Sequence, residues 1–461
     1  MLTYKEVIPA ISVSPSLLYR NIYGGGEDTF IFESGSPNLP NSRFSFIGSF
    51  RNSKFKYRGG EIYAHEEGKK GVIDIDPLEY LEDRYNSYLP AYNHPSPPPF
   101  QGGLVGYFGY ELLNPQLSKK KGGDIDTPDL YFGLADEVIA IDHQTGSLHI
   151  YILGTSEEKT SRGEELASAI TNIRQEAPVV YRADTLTSSV DKDRFVEMVK
   201  RCKEYIKDGD IYQANISQRF MADFEGDPLG LYLTLRKINP SPFQGYINFG
   251  DMQLISSSPE RLIKIEGNML ETRPIAGTRP RSSNKDEDKK LSRELLLNKK
   301  EAAEHLMLVD LERNDLGRIS EYGSVKVKEF MALEGYSEVW HIVSKVIGQR
   351  REGIGLAETI RAIFPGGTIT GCPKIRCMEI IDELEPVKRG FYTGSMGYLG
   401  WNGKADFNIL IRSAAILSNK IYFYAGAGIV ADSDPIAEYY ETLDKAKALL
   451  KALRLDNTGL D

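Results

Sequence analysis

The sequence predicts an α+β protein. Two observations carry this: strand-like runs follow one another across short turns, and helical patterns gather in separate blocks instead of alternating with strands. In the first half, residues 29–33, 43–50, 102–112 and 137–153 are rich in aromatic and β-branched side chains. The last of these is broken by the turn-forming run His143-Gln144-Thr145-Gly146, as in a hairpin. Residues 95–99 and 119–123, dominated by proline and by lysine with glycine, are expected as exposed loops. The polar, aperiodic stretch 175–193 marks the boundary, placed at residue 187, between a strand-rich portion 1–186 and a second portion 187–461. Beyond it Phe195, Met198, Val199, Cys202 and Ile206 recur at helical spacing, and Gly209 ends the helix. Strands are expected at 211–220, 243–249, 253–257 and 261–266, then a helical block at 289–311. Residues 391–400, 405–416 and 420–425 predict an antiparallel meander, and 435–455 a closing helix. No internal repeat is found.

At 461 residues the chain exceeds one ordinary domain, so a large core is expected. A formal net charge of -9 disfavours nucleic acid or an anionic membrane as partner. The N-terminus lacks a basic region followed by an apolar run, and no stretch approaches the roughly 18 apolar residues of a membrane span. A cytoplasmic location is expected. Three cysteines, Cys202, Cys372 and Cys377, are too few and too uneven for a disulfide framework.

Carboxylates recur three residues apart at Glu301 and Glu304, and again at Glu438 and Glu441, within helical patterns. Each pair shares a helix face. A solvated surface has the same spacing, but four convergent carboxylates without a Cys or His cluster suit Mg²⁺ and, with it, an anionic substrate. Glycine-bearing turns at 274–278, 364–371 and 425–428 let backbone N–H groups approach an anion, though none has the spacing of a nucleotide phosphate loop. Arg412 lies in an apolar run, where it fits either a structural ion pair or a bidentate ligand carboxylate. Lys445 follows Glu441 by one turn and could pair with it or with a ligand. His341, in the apolar run 339–343, fits a core histidine.

Residues 271–281, 304–315, 364–374 and 425–432 together resemble the chorismate-using enzymes: anthranilate synthase component I, aminodeoxychorismate synthase component I and isochorismate synthases. The resemblance spans about residues 190–455, and more loosely Phe32-Glu33-Ser34 and residues 42–45. It implies two antiparallel sheets packed together with flanking helices. It implies a Mg²⁺ site at Glu304 and Glu441, with Glu301 and Glu438 acting through metal-bound water. One carboxylate of chorismate would sit there. The other would meet Arg412, Tyr392, Lys445 and the backbone of Gly426, Ala427 and Gly428, with Gly277 and Thr278 against the ring. Glu260 would be the general acid that helps the ring hydroxyl leave, and His341 with Thr368 would serve loss of pyruvate.

Within this family, water-using members carry an activating lysine where this chain has Gln213, so ammonia is the expected nucleophile. Many aminodeoxychorismate synthases carry a nucleophilic lysine where this chain has Ala276. The resemblance therefore favours anthranilate formation, while residues 366–371 and 378–386 look closer to the aminodeoxychorismate branch. A tryptophan feedback site would use Ser34, Pro242, Phe243 and Gln244, the last replacing a familiar methionine. No segment resembles a glutaminase, which implies a separate ammonia-supplying subunit, in a heterotetramer of two large and two small chains.

Overall fold

The computed structural model describes residues 2–7, 14–35, 42–66, 69–88, 98–114, 125–154, 156–173, 180–336 and 339–456. The α+β expectation holds: two sheets of twelve strands each, antiparallel at every described pairing, carry helices on their outer faces. Of the loops expected from sequence, residues 95–97 and 119–123 lie outside the described residues.

Across the first sheet the strands run Leu2–Val7, Leu148–Leu153, Glu137–Asp142, Phe44–Ser49, Thr29–Glu33, Phe243–Asn248, Gln253–Ser258, Ser413–Leu417, Lys420–Ile429, Gln213–Gly226 and Tyr181–Ser188. The short strand Gly371–Cys372 adds to Gln213–Gly226. The second sheet orders Ile275–Pro280, Val339–Gln349, Met269–Arg273, Arg261–Glu266, Lys404–Asn408, Ser395–Gly400, Gly103–Phe108, Leu130–Ala135, Ser53–Arg58, Glu61–Glu66 and Lys69–Ile73, with Lys326–Gly335 beside Val339–Gln349. The inner faces meet in an aromatic core including Phe30, Phe46, Phe100, Tyr107, Tyr131, Tyr398 and Tyr424. Helices such as Lys192–Lys207, Pro228–Ile238 and Pro435–Leu453 bury their apolar stripes against the outer face of the first sheet. Lys299–Gly317 and Leu356–Ile363 cover the second.

Both sheets draw strands from either side of residue 187, which itself falls inside the strand Tyr181–Ser188. Phe243–Asn248, for instance, pairs with Thr29–Glu33 through five residue pairs. The two portions delimited from sequence therefore interleave strand by strand. The expected C-terminal meander is corrected. Ser395–Gly400 and Lys404–Asn408 form a hairpin in the second sheet, whereas Ser413–Leu417 and Lys420–Ile429 form one in the first. Alternation of apolar residues is identical in either sheet, so the switch at residues 409–412 carries no periodic signature. The helical block at 289–311 divides into Lys285–Leu297 and Lys299–Gly317 at Asn298, whose side chain caps the second helix by accepting from the Lys300 and Glu301 amides at 3.0 and 3.1 Å.

Candidate active site

Two neighbouring links among those that carry the chain from one sheet to the other each hold a candidate residue. Glu260 sits on the link from Gln253–Ser258 to Arg261–Glu266, and Arg412 on the link from Lys404–Asn408 to Ser413–Leu417. Hydrogen bonds tie the links together. The Ile409 amide donates to the Glu260 carbonyl at 3.0 Å, the Ser258 hydroxyl to the Ile409 carbonyl at 2.6 Å, and the Ser257 amide to the Arg412 carbonyl at 3.2 Å. Arg412 takes φ +50°, a left-handed conformation costing roughly 1–2 kcal/mol for a residue with a Cβ. The surrounding links hold it there.

Glu260 is buried, and loss of water pushes its carboxyl pKa up to about 7, against the opposing pull of the Thr368 hydroxyl and the Ile275 amide. Thr368 lies on the short 3₁₀ turn Gly367–Ile369. Although the Thr368 hydroxyl is near enough to act on Glu260, no hydrogen bond of good geometry closes, and Glu260 Oε1 and Thr368 Oγ1 are both buried without a partner. Beneath lies Glu312, which sequence reasoning missed. Burial, then the Asp315 charge, raises its pKa to about 8, and Glu260 adds to the effect.

His341 is buried on the strand Val339–Gln349, opposite Thr278 in register. Its Nδ1 lies 3.0 Å from the Gly277 carbonyl and 3.1 Å from the Thr278 hydroxyl. A carbonyl only accepts, so Nδ1 bears the proton and Nε2 keeps its lone pair. Burial pushes the imidazole pKa down to about 4, so the ring is neutral at physiological pH. Gly277 has φ +65°, and a Cβ there would stand 2.8 Å from Glu301 Oε2. The positive φ calls for glycine, and a Cβ would also push the Glu301 carboxylate aside.

Glu301 and Glu304 project from Lys299–Gly317, Glu438 and Glu441 from Pro435–Leu453. Burial is the largest cause raising the Glu304 pKa; Lys300 lowers it, and the charges of Glu301, Glu441 and Glu438 raise it further. Two helices remote in sequence thus bring four carboxylates into one electrostatic neighbourhood. Nearby cations offset part of the charge: Arg279 lies 3.2 Å from Glu301, Lys300 3.8 Å from Glu304 and Lys445 2.7 Å from the exposed Glu441. Among the described residues no three His, Cys, Asp or Glu side chains gather into a ready metal cage. The donor set fits a hard dication held by one carboxylate from each helix, with water and an anionic ligand completing its shell, and does not fit a closed protein site.

Gly426 and Gly428 lie on Lys420–Ile429, whose neighbour Gln213–Gly226 places Asn215 opposite Gly428. A Cβ at Gly426 would collide with Asn215 Oδ1 and lie 2.9 Å from the Tyr392 hydroxyl; one at Gly428 would meet Gln213 Nε2 at 2.6 Å. Ala427 packs its methyl into the core of the first sheet, leaving only backbone on the glycine side. Tyr392 is fixed by stacking on Tyr424, centroids 4.9 Å apart. Lys445 Nζ donates to the Gly426 carbonyl at 2.9 Å while pairing with Glu441, so it joins the glycine strand to the acidic cluster. Arg412 is half-buried and close enough to His341 to lower its pKa, and no carboxylate pairs with it among the described residues. The guanidinium is therefore available to an anionic ligand.

Under this floor lies a buried ion pair that sequence reasoning also missed. Arg389 bonds Glu385 through two nitrogens at 3.0 and 2.7 Å and donates to the carbonyls of Ile369 and Asn215. Glu385 in turn accepts from the Ser217 amide and hydroxyl, both at 2.8 Å. The only sequence signal was an i, i+4 acid–base pair, which surface helices share.

Ser34, Pro242, Phe243 and Gln244 come together elsewhere. They line a cavity of about 280 Å³ between the sheets, with Phe32, Phe44, Phe46, Met396 and Tyr398 among its walls. Ser34 Oγ and Gln244 Oε1 are buried there without partners. Arg261, also in its wall, follows Glu260 directly and pairs with Asp406 at 2.9 Å and Glu271 at 2.7 Å.

A family model described as chorismate binding enzyme matches residues 45–451. Anthranilate synthase component 1 of Aquifex aeolicus is 40% identical over 96% of this chain and 92% of its own length, and that of Thermus thermophilus 39% over 99% of both. Aminodeoxychorismate synthase component 1 of Bacillus subtilis is 41% identical over 89% of this chain and 91% of its own length. The crystal structure of anthranilate synthase component I from Streptococcus pneumoniae superposes with a TM-score of 0.78 at 34% identity, covering 96% of this chain and 98% of that one. The isochorismate synthase MenF from Escherichia coli shares the fold, at a TM-score of 0.74 and 17% identity over 98% of this chain and 95% of its own. With the fold and a match over most of its length in agreement, the chain belongs to the chorismate binding enzyme family.

Proposed function

We propose that this chain is the large subunit of an anthranilate synthase, a lyase converting chorismate and ammonia to anthranilate, pyruvate and water. The observation that supports it most is a buried acid with a pKa of about 7, Glu260, on one sheet link, and on the neighbouring link a guanidinium, Arg412, that no carboxylate pairs with among the described residues. The pair matches the needs of a dianion that must lose hydroxide. Arg412, Tyr392, Lys445 and the backbone of Gly426, Ala427 and Gly428 would hold one carboxylate of chorismate, with Gly277 and Thr278 against the ring. Mg²⁺, gripped by Glu304 and Glu441 with Glu301 and Glu438 behind, would neutralise the other carboxylate and orient it. Glu260 then gives its proton to the departing hydroxyl, which leaves as water. His341, neutral with its Nε2 lone pair free, takes the ring proton whose removal accompanies loss of pyruvate, and Thr368 orients that step.

Gln213 has no basicity with which to activate water, which favours ammonia. A separate glutaminase subunit would supply it, in a cytoplasmic assembly of two large and two small chains. The cavity at Ser34, Pro242, Phe243 and Gln244 is the place for an L-tryptophan feedback inhibitor, its aromatic walls suiting an indole.

A second reading, aminodeoxychorismate synthase component I, is supported by the Bacillus subtilis relative at 41% identity. Ala276 speaks against the variants of that chemistry that need a lysine adduct. Purified chain mixed with chorismate, Mg²⁺ and ammonium decides. Prompt pyruvate release with anthranilate fluorescence is expected, and a non-aromatic amine accumulating without pyruvate would establish the second reading instead.

A further inference from the structure

We propose that Asn215 is a catalytic residue whose side-chain oxygen, alongside that of Gln213, accepts N–H groups of the attacking ammonia. The inference rests on the ammonia-using reading above. On the strand Gln213–Gly226, Ala214 and Ile216 sink into the core, so Gln213 and Asn215 share the opposite face. Gln213 Oε1 and Asn215 Oδ1 are both buried and neither has a hydrogen-bond partner. Buried acceptors are rarely left unmet, and two on one face mark a place for a ligand with several N–H groups. The place is kept open by the absence of side chains on Gly426 and Gly428, which would fill it, and it adjoins the Tyr392 hydroxyl.

The backbone of Asn215 is pinned on both sides. Its amide donates to the Thr370 carbonyl at 2.9 Å, and its carbonyl accepts from Arg389, which also holds Ile369 at 3.0 Å. Thr368, whose hydroxyl lies near Glu260, belongs to the same turn. The acceptors are thereby fixed relative to the turn that flanks the acid.

In the step they serve, the ammonia lone pair forms the C–N bond and the ring π electrons shift. The C–O bond to the ring hydroxyl breaks, and the departing oxygen takes its electron pair and the Glu260 proton to leave as water. Nitrogen ends with three hydrogens and a positive charge, and Glu260 with a negative one. Fixed acceptor dipoles stabilise that positive charge as it develops. They offer water little, because a water nucleophile must lose a proton that an amide cannot take.

The test uses the full chain with chorismate, Mg²⁺ and ammonium chloride at fixed pH, following chorismate consumption by absorbance, a readout indifferent to which amine forms. Asn215→Leu should raise the KM for ammonia about tenfold or more while the KM for chorismate stays within about twofold. Asn215→Ala, a pure truncation, serves if the leucine variant melts early. An unchanged ammonia KM, or an equal rise in both constants, overturns the proposal. A non-aromatic amine from the unsubstituted chain defeats the anthranilate reading but leaves the comparison intact; a chain that consumes no chorismate with ammonium defeats both.

Discussion

Glu260 keeps its proton to near neutrality because its carboxylate has lost water without gaining a cation. Its folded pKa lies above the ordinary carboxyl value, so the acid form is present below about 7 and disappears as pH rises through that value. The turnover rate per molecule of NH₃, rather than per total ammonium, should therefore fall above about pH 7, and a profile flat from about pH 6 to about 8.5 would remove Glu260 as the proton donor. Glu441→Gln tests the acidic cluster at the same scale. It should abolish turnover with Mg²⁺ present while the thermal midpoint moves little, because Glu441 is exposed and its bond to Lys445 is a surface pair; retained activity would refute the cluster's role. Glu260, His341 and Arg412 were legible as residues within motifs, but their states were not. Nothing in the run around His341 tells that a carbonyl fixes its tautomer. Glu312 and Asn215 escaped because their significance is a shared environment with distant residues, and local composition does not encode that.

Helices and strands position those groups, and the caps set where each begins. Asn298 closes one helix and opens the next, so it fixes the register at which Glu301 and Glu304 leave the second. Asn298→Ala should cost about 1 kcal/mol in denaturant unfolding by loss of the N-cap, and it should also weaken activation by Mg²⁺. Unaltered Mg²⁺ dependence would show that the helix holds its place by packing alone. Hairpins were readable from turn chemistry, as at residues 143–146, where strands Glu137–Asp142 and Leu148–Leu153 formed as expected. The C-terminal meander was misread because strand membership of a sheet is a tertiary property. Hydrophobic alternation tells which face of a strand is buried, not against which layer.

Taken whole, the described molecule is two packed sheets sealed by an aromatic centre, with the Glu385–Arg389 ion pair deeply enclosed. Removing one partner leaves a buried charge unmatched. Arg389→Met alone should cost about 3–5 kcal/mol, whereas Arg389→Met combined with Glu385→Leu should recover most of it. Equal losses in denaturant melts of the single and double variants would mean the pair contributes shape and not charge. The overall class was visible in the order of predicted elements. The interleaving was not, because strand Thr29–Glu33, besides its neighbour Phe44–Ser49, pairs with a strand more than two hundred residues later and no local pattern records that pairing. One consequence concerns the two adjacent links. Since Glu260 and Arg412 ride on segments that stitch layer to layer, a slip of one sheet across the other would shift the proposed proton donor and anion receptor together. Arg261 carries the wall of the central cavity to within one peptide bond of that donor. A guest wedged between the layers could thus throttle the reaction from a distance without touching a single reacting atom.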